Sequence, residues 1–281
     1  MKKIIVENLK YKYPLTESLA LDNLSFEVEQ GEFIGIIGAN ASGKSTLCQS
    51  IVGLVPHFYK GAYGGTVIVD GLKVMDHAVS DIALKVGIVF QNPFNQVTGS
   101  KLTVLEEIAF GLENIGVPQT EMLERIETVL ELLNIAPYRE RHPFDLSGGQ
   151  MQRMAIASII AMKPNIIVLD EPTSQLDPEG AEEVFQAIHR LSEQGITVIM
   201  VEHKMEKIAH YCNRVMLLQK GKMIDFDTPE KIFSRDDLET YGVTAPVYTR
   251  VCKALDLKIP GTDYYPVTLE QASRVLGGKI K

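Results

Sequence analysis

One stretch narrows the possible folds more than any other. Phe33-Ile34-Gly35-Ile36-Ile37 is a short apolar strand, and it runs directly into Gly38-Ala39-Asn40-Ala41-Ser42-Gly43-Lys44-Ser45-Thr46. This loop fits G-x-x-x-x-G-K-[ST]. A helix is expected to follow it, with Leu47, Ile51, Leu54 and Val55 among its apolar positions. Gly38 and Gly43 let the backbone aim its N–H groups inward, and the helix N-terminus adds unpaired donors and the positive end of a dipole. Lys44 would sit between the β- and γ-phosphates of a nucleotide, and the Ser45 hydroxyl would ligate Mg²⁺. A strand before the loop and a helix after it supply the context the motif requires.

Further apolar runs have the same grammar. Val86–Phe90 stops at Gln91, Ile166–Leu169 at Asp170-Glu171, and Ile196–Val201 at Glu202-His203. Strands apolar at every position are buried on both faces, as in a parallel α/β sheet, and such sheets bind ligands at the carboxyl ends of their strands. Gln91, Asp170, Glu171 and His203 all fall at such ends. Asp170-Glu171 has the Walker B form: the first carboxylate can hold Mg²⁺ through water and the second can act on an attacking water.

Residues 4–9, 24–28 and 66–70 read as strands of a smaller β part, and residues 93–160 as a helical insert. Within the insert, Thr103 and Glu106 form a capping box ahead of Val104, Leu105, Ile108 and Leu112, and Met122 to Leu133 mark a second amphipathic helix. Leu146-Ser147-Gly148-Gly149-Gln150 then opens a helix at Met151–Met162, capped by Ser147, with paired glycines that allow close approach of an anion. Beyond Gly221 come a turn at Asp227-Thr228-Pro229, a short helix, and a final helix capped by Thr268 and Gln271.

Composition removes some alternatives. A formal charge of −8 argues against nucleic acid as the main partner. Three distant cysteines, Cys48, Cys212 and Cys252, read as reduced core thiols of a cytosolic protein. Ile4-Ile5-Val6 is cut short by Glu7, so no signal peptide is expected. Runs such as Ala155–Met162 are far below the ~20 residues a spanning helix needs.

Together these motifs resemble the ATP-binding subunits of ABC transporters over residues 1 to 225, all in the right order. Gln91 matches the Q-loop, Leu146–Arg153 the signature, Ser174–Asp177 the D-loop and His203 the switch histidine. Tyr13 matches the aromatic that stacks on adenine, with Tyr11 a close competitor. The resemblance implies a P-loop NTPase core (1–92 and 161–225), a helical subdomain (93–160) and a C-terminal extension (226–281) that could contact a second subunit. It implies ATP and Mg²⁺ as ligands, with Ser45, Gln91 and Asp170 around the metal and Glu171 and His203 as the catalytic pair. It also implies a head-to-tail pair of subunits, identical or paralogous, in which Ser147, Gly148, Gly149, Gln150 and Asp177 act in trans. Ala41 replaces a common glycine, Gln175 a common alanine, and Glu202-His203-Lys204 the frequent Thr-His-Asp.

A 55-residue insert from Gln91 to Leu146 is too short for the coiled coil of the DNA-repair relatives, and a single phosphate loop differs from the paired cassettes of the translation-associated ones. Gln91–Gln96 and Ala109–Asn114 resemble the energy-coupling factor ATPases of vitamin and metal importers. That resemblance implies a transmembrane coupling subunit docking beside residues 91–115, a separate substrate-binding membrane subunit, and a place on the cytoplasmic face of the cell membrane. The alternative is a nucleotide-gated clamp or regulator in which binding matters more than turnover.

Overall fold

A strand with no polar face must be covered on both sides. In the computed structural model, which describes residues 1–277, every residue of Phe33–Ile37, Ile166–Asp170 and Thr197–Val201 is buried. The chain runs β1 (Lys2–Lys12), β2 (Leu21–Glu29), β3 (Phe33–Ile37), α1 (Lys44–Ile51), α2 (Leu54–His57), β4 (Ala62–Val69), β5 (Leu72–Lys73), α3 (Val79–Ala83) and β6 (Val86–Val89). There follow α4 (Val104–Asn114), α5 (Gln119–Leu132), α6 (Gly148–Ala161), β7 (Ile166–Asp170), α7 (Pro178–Glu193), β8 (Thr197–Val201) and α8 (Met205–Tyr211). The last elements are β9 (Arg214–Gln219), β10 (Lys222–Asp227), α9 (Pro229–Phe233), α10 (Val247–Ala254) and α11 (Leu269–Gly277).

Six strands form the central sheet in the order β10-β9-β3-β8-β7-β6, parallel except for β10, which returns antiparallel beside β9. Strand periodicity sends alternate residues to opposite faces. Ile34, Ile36, Ile166 and Val168 join a core with α1 and the antiparallel sheet β2-β1-β4-β5. Phe33, Ile37, Ile167 and Leu169 join the opposite core, built with α4 to α9. The fold is thus the α/β nucleotide-binding type with an added antiparallel sheet, as the motif order implies.

Capping sets the helices of the insert. Thr103 and Glu106 cap each other's backbone at the start of α4, and Ser147 and Gln150 do the same at α6. In the tail, Thr268 Oγ1 accepts from Gln271 N and Gln271 Oε1 from Val267 N. All three cysteines are free and buried.

Some details depart from expectation. The helix after the phosphate loop stops at Ile51 rather than carrying on through Leu54 and Val55. Gly53 adopts φ +79°, and Val55 is non-helical. β6 lies at the sheet edge, so Gly87 and Ile88 are only partly covered. The β9–β10 hairpin goes beyond the strands read from the sequence. The segment after β10 also divides: Ile232, Phe233, Leu238 and Val243 belong to the main core, whereas α10 and α11 close a small one of their own around Cys252, Leu257 and Ala272.

Candidate active site

The loop after β3 takes its shape from two glycines. Gly38 has φ +147° and Gly43 φ +107°, and a Cβ on Gly38 would lie 2.2 Å from the Leu218 carbonyl oxygen. Ala41 takes φ +60°, the left-handed conformation its replacement of glycine makes costly, by about 1 kcal/mol. Gly221 N donates to Ser42 O at 2.9 Å, so the β9–β10 turn braces the loop. A Cβ on Gly242, far along the chain, would lie 3.0 Å from the Ala39 side chain. Gly43 caps α1 without any side-chain bond, which leaves the first-turn N–H groups for an anion.

Lys44 is buried, and its ammonium donates to Gly38 O and Ala39 O at 2.9 Å each. Burial lowers its pKa, against the opposing pull of Glu171 and Asp170. Asp170 closes β7 and is buried as well. Burial raises its pKa, the Ser45 hydroxyl works against that, and the Glu171 charge adds to it. Asp170 Oδ1 has no hydrogen-bond partner. A buried carboxylate oxygen left without a donor beside a serine hydroxyl fits a hard divalent cation. Among the described residues no cluster of three or more His, Cys, Asp or Glu could hold a metal ion.

Glu171 follows at φ +52°, its N–H donating to Val201 O at 3.0 Å. Strained backbone of this kind persists where its surroundings over-determine it. Both carboxylate oxygens are engaged: Gln91 Nε2 donates to Oε2 at 2.6 Å, and His203 Nε2 lies 3.0 Å from Oε1. These side chains line a cavity of about 560 Å³ with Asn40, Ala41, Gly43, Lys44, Ser45 and Thr46. Gly38, Ala39, Ser42 and Asp170 stand behind that lining rather than in it.

The two tyrosines separate cleanly. Tyr11 is fully buried, donating its hydroxyl to Tyr59 O at 2.8 Å. Tyr13 is half-buried with its hydroxyl 3.2 Å from Thr46 Oγ1 and 3.0 Å from Gln49 Oε1, so it stands beside the first turn of α1.

Ser147, Gly148, Gly149, Gln150 and Asp177 are gathered elsewhere. They line a second cavity of about 470 Å³ that shares no residue with the first. Ser147 Oγ accepts from Gln150 N, and Asp177 Oδ1 accepts from Gly180 N at 2.7 Å, so both side chains cap their own helices. The side chain of Gln175 lies against Gly148. Q-loop and signature helix are joined behind the cavities, where Gln152 Nε2 donates to Phe90 O and Gln96 Nε2 to Ala155 O.

One group escaped the sequence reading. Glu202 is buried at 3% exposure and accepts from Thr173 and from the backbone of His203. Its signal was a carboxylate adjoining a buried strand, but Thr173, the residue that explains it, lies well upstream.

Comparison with known proteins agrees with this geometry. The sequence pattern described as ABC transporter matches residues 21–174. A putative ABC transporter ATP-binding protein of Pyrococcus horikoshii is 45% identical over 263 residues, 93% of this chain and 91% of that protein. The energy-coupling factor transporter ATP-binding protein EcfA1 of Lacticaseibacillus paracasei is 43% identical over 254 residues, 90% of this chain and 88% of that one. Among solved structures, CbiO1 of Clostridium perfringens, described as part of the ABC transporter complex CbiONQ, aligns with TM-score 0.73 at 28% identity, covering 92% of this chain and 96% of its own. A dimeric ATP-binding cassette in a post-hydrolysis state bound to ADP and Pi aligns with TM-score 0.72 at 29% identity, covering 80% and 98%. The phosphate loop, the carboxylate pair and these likenesses converge: the chain belongs to the ABC transporter family and is an ATP-binding, ATP-hydrolysing subunit of it.

Proposed function

We propose that this ATPase drives an importer of the energy-coupling factor type, for a vitamin or a metal ion, by closing on ATP against a second ATPase subunit and so moving a transmembrane partner. The observation that carries the catalytic part is the Glu171 carboxylate, held between Gln91 and His203 at the lip of the phosphate-loop cavity. From there Glu171 takes the proton of a water attacking the γ-phosphate, a role worth roughly 10²–10⁴ in rate. His203 holds the γ-phosphate and keeps water and Glu171 in register. Lys44 leaves the carbonyls of Gly38 and Ala39 for the β- and γ-phosphates, joining the loop N–H groups from Gly38 to Thr46 in stabilising the spreading charge. Ser45, Asp170 and Gln91 would hold Mg²⁺, which when bound neutralises phosphate charge. Tyr13 stacks on adenine. Ser147, Gly148, Gly149 and Gln150, with Asp177, face the nucleotide of the opposite subunit.

The importer reading draws on the relatives named EcfA1 and on the complex to which CbiO1 is assigned. A surface feature supports it: Phe94, Leu102 and Phe144 are exposed, and the Phe94 and Phe144 rings stack 6.4 Å apart. The stacked Phe94 and Phe144, beside residues 91–115, suit short helices of a transmembrane partner. No helix among the described residues is long and apolar enough to cross a membrane, so the proposed place at the cytoplasmic face depends on such partners, with substrate bound by a separate membrane subunit.

The test is Glu171→Gln in purified protein. ATP binding is expected to persist, phosphate release to stop and an ATP-dependent dimer to accumulate. Turnover at the parent rate would overturn the assignment of the base.

A further inference from the structure

We infer that Glu202 is a positioning residue for hydrolysis, its buried carboxylate locking the strand end that carries His203 to the loop that follows Glu171. The inference rests on reading Glu171 and His203 as the catalytic pair.

β7 and β8 run parallel, and their register ends with Asp170 opposite Val201. Glu171 N still reaches Val201 O, but at φ +52° the chain then turns out of the sheet. From that point no ladder remains to hold the two segments together. The Glu202 side chain takes over. Oε1 accepts from the backbone N–H of Thr173 at 3.2 Å and, through a short bond, from its hydroxyl. Oε2 accepts from His203 N at 2.9 Å. Lys204 adds a bond in the other direction, Nζ donating to Thr173 O at 3.2 Å. Glu202 is 3% exposed and Thr173 fully buried, so water is not at hand to replace any of these bonds.

A buried carboxylate is costly unless donors surround it. Here the donors come from both segments, so the side chain that needs them also joins them. Glu202 is not among the residues lining the nucleotide cavity. Its effect on chemistry must therefore pass through the 3.0 Å separation of His203 and Glu171.

The experiment uses the full-length chain with ATP, comparing steady-state turnover, ATP affinity and the imidazole ¹⁵N resonances of His203, assigned by their loss in His203→Ala. In Glu202→Gln the amide accepts on one side only, which orphans a donor on one of the two segments. Turnover is expected to fall roughly 10-fold or more, as for a small misplacement of catalytic groups. ATP affinity is expected to stay within about two-fold, the pattern of an interaction used only in the transition state. The His203 resonances should shift. Thr173→Val removes the hydroxyl half of the clamp from the other side and should give a smaller loss of the same kind. It decides the matter if Glu202→Gln does not fold.

Parent turnover in both variants, equal losses of turnover and ATP affinity, or unmoved His203 resonances would each overturn the inference. Glu171→Gln separates the two levels. If that variant hydrolyses ATP normally, the catalytic pair is misassigned. If it is inactive while Glu202→Gln is unimpaired, the clamp alone fails.

Discussion

On the proposed function two glycine-containing loops in this molecule meet an anion, and they do so by opposite means. The loop after β3 carries a buried lysine and holds Gly38 and Gly43 where a side chain would strike the carbonyls of Leu218 and Ala20. The loop before α6 is open and neutral from Ser147 to Gln150, and its capping positions are satisfied by its own side chains. On the proposed function the first is a complete phosphate site by itself. The second offers helix-terminus donors but no cation of its own among these four residues, so on the proposed head-to-tail pairing it is half a site that waits for a nucleotide delivered by the other subunit. Affinity and turnover should therefore come apart by mutation.

The sharpest break comes from Ser147→Asp. Aspartate caps a helix as well as serine does, so stability should be preserved and ATP should still bind the phosphate loop. A negative charge facing the incoming γ-phosphate costs up to about 4 kcal/mol at an effective dielectric of 20, so phosphate release should fall by as much as ~1,000-fold. A comparable loss of ATP affinity would show that the two loops are not independent. Lys44→Ala attacks the other side. Charge-assisted bonds of about 2 kcal/mol are lost, and ATP affinity in a titration should weaken roughly 30-fold. Unchanged affinity would contradict the phosphate-loop assignment. Tyr13→Ala should have the smallest effect, about 1 kcal/mol or roughly five-fold in affinity for lost stacking. Tyr11→Phe, which removes a buried hydroxyl bond, should move thermal stability and leave affinity alone.

Much of the architecture was legible because the central strands carry a local signature: a residue-by-residue apolar run cannot face water, and each run ends where a polar group begins. Gln91, Glu171 and His203 could be placed at strand ends for that reason, and the structure brings them into one cavity. What escaped depends on long-range partners. Tyr11 in β1 and Tyr13 just past its end lie two residues apart, and alternation assigns such positions to the same face, so it could not rank them. Glu202 was noted only as part of Glu202-His203-Lys204, because its partner Thr173 lies 29 residues upstream. The helix break at Gly53 was masked by apolar residues that continue on its far side, although the glycine itself was the marker.

The touch between Gly242 and Ala39 has a reach beyond packing. A methyl group on Gly242 would come within 3.0 Å of the alanine side chain, and its φ of +69° already disfavours anything bulkier. Just ahead of it, Gln219 Nε2 donates to Thr240 O, tying the same stretch to the hairpin behind the loop. The stretch around Gly242 is therefore a retaining wall for the loop after β3. Trimming the chain at residue 226 would not shorten a passive handle; it would loosen the grip on ATP at the opposite end of the sequence.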